Sequence, residues 1–378
     1  MSLPVILHSG LAGAPTLNTN ENGSMNSFLL ACLVNGFNSK VVSSATAASG
    51  VVTFNFATDP GFPVGYTVEI SGATNASINT KTRVTAASGN AVSVAIPGVP
   101  DGAVGGTITM KFPGLGWTNP FSSGTQTRVY RQGGATAHKR FLRVYDGAMT
   151  SAGTFSARAY ENMTAVSTGT GPFPTTSEAS GNGLGYYTSQ AANRPWIIVG
   201  TPRFFYLTFD YGSVYNEVPP VFNNTVTPAF SGFYFGELDR VQKAGDTYAY
   251  VIPQDYSGTA VCGSRASTLV AGSRPTLTLS GAQDNRFGGK SNYPDPVSGN
   301  IILHDSARVY ESFSGKVGLR GFFPGMMCHD STMARVSPGW VAAGTTFTGF
   351  PGVTGRVMLM ACGDTEYMLR LDEDWGDL

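Results

Sequence analysis

Two short segments gather the residue types that metal and acid–base chemistry need: His304-Asp305 and Cys328-His329-Asp330. Brought together in space, two imidazoles, a thiolate and two carboxylates could hold zinc or iron, because nitrogen, sulfur and oxygen donors of these kinds fill such coordination shells. Neither segment has the short-range ligand spacing that makes a metal motif specific, so the expectation is no metal and no cofactor. Gly-x-Ser-x-Gly, the turn that presents a hydrolase serine, does not occur. The Asp and Glu residues are scattered, and no pair is singled out by spacing for general acid–base work on a glycosidic bond. The glycines of Thr168 to Phe173 (TGTGPF) are not followed by Gly-Lys-Ser/Thr, so the segment reads as an extended loop ending at Pro172 and Pro174. Catalytic residues are therefore expected to be absent.

A second concentration is aromatic. Tyr186, Tyr187, Trp196, Phe204, Phe205, Tyr206, Phe209 and Tyr211 are dense enough to line a carbohydrate-binding face. At strand spacing, however, half of them point into a core, and core packing is the expectation. The four cysteines, Cys32, Cys262, Cys328 and Cys362, lie far apart without CxxC pairing and read as buried reduced thiols.

The chain that must position these residues has 378 of them, with 48 Gly, 22 Pro and only 13% charged residues. An ordinary soluble domain carries about 25%. With 24 basic and 24 acidic residues the net charge is zero, which argues against a nucleic-acid or anionic-membrane partner. Weak charge repulsion is a liability for a free enzyme and natural for an assembly subunit. The opening MSLPVILHSGLAGAP has a short apolar run and no basic region before it, so it does not read as a signal peptide, and no segment reads as a membrane span.

The fold class expected is mainly β: a short N-terminal helix, a small five-stranded β-barrel or sandwich module, and a larger antiparallel or mixed β domain. Residues 1–40 form a turn-rich leader and a docking helix. In SFLLACLVNGFNSK, Ser27 to Lys40, the apolar residues bunch at helical spacing, Phe28, Leu29, Cys32 and Leu33 share one face, and Gly36 stands where a helix stops. Ser24 or Asn26 would cap its start. So short a helix must dock on something, either its own chain's core or a neighbouring subunit. Residues 41–112 alternate in the β manner over Gly50–Phe56, Tyr66–Gly72, Thr80–Ala87, Ala91–Gly98 and Gly106–Phe112, with Gly, Asn, Asp and Pro between them. Residues 113–378 carry further strands, the clearest being Arg140–Asp146, separated by long segments at Thr168–Asn193 and Gly263–Val297 that suit contact-making loops.

Several of these stretches together resemble a family of tailed-bacteriophage virion proteins encoded among tail genes. The helix SFLLACLVNGFNSK is similar to that family's opening, and VEISGATNASINTKTRVTAASG and GGTITMKF are similar to the small β module that follows. Then GLGWTNPFSSGTQTRVYR, RAYENMTAVSTGTGPFP, ANRPWIIVGTPRFFYL and the ending VMLMACGDTEYMLRLDEDWGDL match in order over nearly the whole chain. The departures are the final EDWGDL, where the family ends in GPW, and the segment Gly263–Val297.

The resemblance implies a non-enzymatic structural subunit of the virion, at the tail tip, baseplate or collar, made in the bacterial cytoplasm. Its partners would be other virion proteins and further copies of itself in a homo-oligomer, without membrane insertion. A receptor-binding or host-glycan adhesion protein of the tail, and a capsid decoration protein, are the alternatives; a depolymerase ranks last. On this reading the leader and helix seat the subunit on its neighbour through Phe28, Leu29, Cys32 and Leu33, and deleting Met1 to Lys40 leaves the β domains folded.

Overall fold

A computed structural model of the chain describes residues 3–135, 137, 139–173, 181–182, 184–187, 192–210, 230–237, 247–252, 260–264, 303–304, 308–313, 316–322, 324–329, 357–362, 365–372 and 375. Mainly β, it has one helical segment near the N-terminus and several antiparallel sheets.

The leader is not free of the body. Val5–His8 forms β1, all four residues buried, and after an irregular, mostly partly exposed stretch the helix α1 (Ser24–Leu29) runs straight into a π-helical turn (Leu30–Asn35). Gly36 ends it with φ 72°, a backbone angle that glycine adopts freely, and a Cβ there would collide with the carbonyl oxygen of Phe112. The stop falls where the sequence placed it, but the chain beyond it is strand.

That strand opens the small module: β2 (Phe37–Val41), β3 (Ser44–Ala48), β4 (Val51–Asn55), β5 (Thr67–Ala73), β6 (Lys81–Ser88), β7 (Ala91–Ala95), β8 (Gly102–Ala103) and β9 (Gly106–Phe112). Their order is β2-β9-β5-β6-β7-β4-β3-β8. Because β3 continues β2 and β9 continues β8, the two ends meet. Val41 faces Thr109 and Thr46 faces Ala103, with Val42 N–H to Ile108 O and Val104 N–H to Ala45 O between them. The sheet thus closes into a barrel and leaves no free edge. Strand alternation fills its interior with Val52, Phe54, Val68, Ile70, Val92, Val94, Ile108 and Met110 and turns hydroxyls outward, where Thr53 meets Ser93 at 2.9 Å and Ser71 meets Thr109 at 2.8 Å. The five strands read from sequence are β4, β5, β6, β7 and β9. The sequence reading missed β2, most of which it left in the leader zone of residues 1–40, and β3 and β8, whose Ser-, Ala- and Gly-rich residues carry little hydrophobic alternation.

A second sheet follows: β10 (Thr118–Ser123), β11 (Thr127–Arg131), β12 (Phe141–Ala148), β13 (Thr154–Ala165), β14 (Thr168–Phe173) and β15 (Leu184–Tyr187), with a four-residue helix α2 (Met149–Ala152) between β12 and β13. The order is β10-β11-β12-β13-β14, and β15 takes the other end of β13. TGTGPF, expected as a loop, is β14: the long β13 offers it a full partner edge, with Phe173 opposite Ala159 and Thr170 opposite Asn162. Among its described residues, the Thr168–Asn193 segment therefore holds two strands.

The central sheet runs β1-β16-β17-β18-β19-β20, with β16 (Trp196–Gly200), β17 (Phe204–Asp210), β18 (Phe230–Glu237), β19 (Thr247–Ile252) and β20 (Ala260–Ser264). Its first strand comes from the leader: Val5 pairs with Gly200 and His8 with Ile197. Both faces are covered, so β16 and β17 read as continuous apolar runs. Trp196, Ile198, Phe205, Leu207 and Phe209 join the main core, while Tyr206 on the opposite face meets the ring of Trp375 edge-on at 5.5 Å and donates to Pro324 O at 2.8 Å. The core assignment of the aromatics holds for Trp196, Phe204, Phe205, Tyr206 and Phe209, all nearly inaccessible. Tyr211 lies outside the described residues, as does Gly263–Val297 beyond Ser264.

The C-terminal part supplies β21 (Leu303–His304), β22 (Arg308–Phe313), β23 (Lys316–Phe322), β24 (Met326–His329), β25 (Val357–Cys362) and β26 (Thr365–Arg370). β22 and β23 form a hairpin, and the others a sheet in the order β21-β24-β26-β25. The last described residues return to the barrel, where Arg83 pairs with Asp372 through Nη1 and donates through Nη2 to Leu371 O at 2.6 Å.

Candidate functional site

Phe28, Leu29, Cys32 and Leu33, expected to dock the helix, are all at 0% exposure, buried within their own chain. Phe28 meets Trp196 of β16 edge to face at 4.6 Å. Of the two docking modes open to the sequence, packing on the chain's own core is the one seen, and it leaves these four side chains no surface for a neighbour. Cys32 fits the reading as a buried thiol, its pKa pushed well up by burial.

The helix is held at both ends by distant strands. Gly23 precedes it in a left-handed conformation, and no side chain caps it from within. Ser24 Oγ instead accepts from Asn18 N–H, and Asn26 turns away from the helix. The first-turn amides go to Asp146 of β12: Asn26 N–H donates to Oδ2 at 3.0 Å and Asn26 Nδ2 to Oδ1 at 3.2 Å, with the N–H of Gly23 also on this carboxylate. A carboxylate at a helix N-terminus gains from both unsatisfied amides and the helix dipole. Burial raises the pKa of Asp146 from its ordinary 3.8, and the Asn26 and Gly23 donors pull it back. Tyr130 Oη donates to Asn26 O at 2.9 Å, and Asn26 Nδ2 also reaches Gln126 O at 2.9 Å.

At the other end the π turn frees carbonyls for outside donors. Cys32 O accepts from Leu115 N–H and Leu33 O from Trp117 N–H, both at 3.0 Å, while Lys111 Nζ of β9 donates to Asn35 O at 2.8 Å. Gly114 lets the strand approach: a Cβ there would come within 2.5 Å of Val34 O. Lys81 Nζ donates to Gly114 O at 3.1 Å. Its pKa is lowered chiefly by burial, with Glu69 acting against that and Lys111 adding to it. From the same linker Trp117 Nε1 donates to Thr201 O at 2.9 Å and its ring meets Phe205 and Phe235. Barrel, second sheet and central sheet are thus joined through one helix and one five-residue linker, Pro113 to Trp117.

A further bond ties leader to barrel. Gly10 N–H donates to His8 Nδ1 at 3.1 Å, which leaves Nε2 protonated to donate to Tyr66 Oη at 2.9 Å. Burial lowers the His8 pKa to about 4, so the imidazole is neutral near pH 7.

The metal-type segments do meet, as the neighbouring strands β21 and β24. His304 stands opposite Cys328 and Leu303 opposite His329. Asp305 and Asp330 lie outside the described residues. Among the described residues, no group of three or more His, Cys, Asp or Glu is placed to hold a metal ion, and no helix is long and apolar enough to cross a membrane.

No protein-family model matches the chain, and no curated protein matches it in sequence.

Proposed function

We propose that this protein is a non-enzymatic structural subunit of a tailed-bacteriophage particle, placed at the tail tip, baseplate or collar in symmetric copies. The observation that supports this reading is where the family-like stretches lie. SFLLACLVNGFNSK, GLGWTNPFSSGTQTRVYR, ANRPWIIVGTPRFFYL and the C-terminal stretch are far apart in sequence, yet they pack on one another through Cys32–Leu115, Leu33–Trp117, Phe28–Trp196, Trp117–Thr201 and Tyr206–Trp375. The likeness thus falls on one mutually dependent core rather than on unconnected phrases. A core stitched through its N-terminal helix suits a subunit that carries load and holds its shape.

The test is the copy number per purified particle, by quantitative mass spectrometry against the major capsid protein. A small number, in ratio with a rotationally symmetric tail or collar, supports the reading. Hundreds of copies would move the protein to the capsid surface as a decoration subunit. Absence from particles would overturn the structural role.

A further inference from the structure

The face of the second sheet turned away from the main core covers a small core of Val129, Phe141 and Met163 and is rimmed by partly exposed arginine and tyrosine side chains. Between residues 118 and 173 there are six basic residues and two acidic ones in a chain of zero net charge, and one of the two acids, Asp146, is buried against the helix. Directly paired residues of antiparallel strands share a face, so the register composes that face row by row. Thr127, Tyr145 and Ser156 form one row, Val129, Arg143 and Arg158 the next, and Arg131, Phe141 and Tyr160 the third. None of the nine is a carboxylate.

Two partly exposed guanidiniums, Arg131 and Arg143, and two partly exposed phenols, Tyr145 and Tyr160, therefore lie on one face three strands wide, while Arg158 is buried beneath it. The Arg131 guanidinium lies 5.1 Å from the centroid of the Phe141 ring, and its buried Nε has no hydrogen-bond partner among the described residues. Arg143 is oriented by its Nε on Val166 O at 3.0 Å and by Nη1 on Asn182 Oδ1 at 3.1 Å. Val166 and Asn182 thus form a wall over one side of the patch, and Phe121 of β10, stacked on Phe141 at 6.5 Å, forms the other.

We propose that this face binds an acidic glycan, its carboxylates engaging Arg131 and Arg143 and its sugar rings lying on Tyr145 and Tyr160. Planar guanidinium forks match carboxylate oxygens, and phenol rings supply apolar area with a polar tip. The zero net charge of the whole chain disfavours a nucleic acid, whose binding rests on a broad basic field. Binding at this face does not depend on where in a particle the protein sits.

The experiment titrates the full-length protein with polygalacturonate by calorimetry, with neutral dextran as the control and a glycerol-phosphate polymer as a separate arm. Polygalacturonate is expected to bind and dextran not. Affinity should fall about tenfold or more between about 50 and 300 mM NaCl, as screening weakens exposed charge pairs. The double variant Arg131→Gln/Arg143→Gln should lose about tenfold or more at low salt, while Lys40→Gln, an exposed cation on the barrel, should not. If the double variant does not fold, Arg131→Gln alone decides, since that side chain's contact is with a ring. Stronger binding of the phosphate polymer would move the recognised group from carboxylate to phosphate and overturn the carboxylate assignment. Failure of wild-type protein to bind either polymer at low salt, or binding that the arginine variants leave intact, overturns the site. Salt-sensitive self-association without glycan binding would overturn it in favour of a protein partner.

Discussion

The main-chain N–H of Asn26 donates to Asp146 Oδ2 at 3.0 Å, so a helix without a cap of its own is capped by a strand residue 120 positions later in the chain. The Asp146→Ala variant would leave buried amides at Gly23 and Asn26 without an acceptor. A loss of about 3 kcal/mol in unfolding free energy is expected, read from urea denaturation followed by tryptophan fluorescence. A loss below about 1 kcal/mol would show that the cap is dispensable.

Acid should loosen the tie between leader and barrel. His8 has a folded pKa of about 4 against 6.5 unfolded, so the unfolded chain takes up the proton first. Its contribution is fully present above pH 6.5 and is lost as the pH falls from 6.5 toward 4, by about 3 kcal/mol in all. Asp146, raised by burial, has the opposite sense: the stability linked to its protonation is present below pH 3.8 and disappears as the pH rises above it. Thermal melting between pH 7 and pH 4 should show the His8 loss in the wild type, and His8→Gln should flatten it. An unchanged slope in the variant would assign the acid sensitivity elsewhere.

Removing Met1 to Lys40, which also cuts most of β2 out of the barrel, should not leave folded β domains behind. The deletion takes out β1 from the central sheet and four side chains at 0% exposure, each contributing about 2 kcal/mol by burial. Their sum approaches the whole stability of a typical domain, about 5–15 kcal/mol. The truncated chain is expected to be insoluble or to lack a cooperative melt, and a sharp calorimetric transition near the wild-type temperature would refute this.

Gly36→Ala places a methyl against Phe112 O at a backbone angle that alanine avoids. A loss of about 2–4 kcal/mol is expected in chemical denaturation. Gly89→Ala, also at positive φ but with nothing within 4 Å of the added carbon, should cost about 1 kcal/mol, so the difference between them isolates the collision.

The barrel should fold alone. Phe37 and Phe112, its first and last residues, are paired, so entry and exit lie side by side and the strand pairing closes on itself, while its buried residues run on into the main core. A fragment of residues 37–112 is expected to give a dispersed amide spectrum. Collapse of that dispersion would mean that the barrel depends on the helix and linker beside it.

Much of the barrel was legible because Val51–Asn55, Thr67–Ala73 and Gly106–Phe112 alternate strictly and turn-forming residues bracket them. The ending of the helix at Gly36 was legible for the same local reason. Nothing local showed that β1 belongs to a sheet built from residues 196–264, or that Asp146 caps Ser24–Leu29, because those partners are chosen by tertiary packing. TGTGPF reads as a loop by composition and becomes a strand only because β13 is long enough to pair it. The metal-type residues were visible as types, but the pairing of β21 with β24 depends on a register that the sequence does not display.

The position of the helix in the chain also sets a timetable. Phe28 is made 168 residues before Trp196, the ring it packs against. At about 5–20 residues per second on the ribosome, the apolar face of the helix waits roughly 8–34 s for its partner. Through that interval the barrel can already close, but the helix cannot be buried. A nascent chain with its stickiest segment near the front and the matching surface far behind is a natural client for a holding chaperone, and slow-translating stretches before β16 would lengthen the exposure.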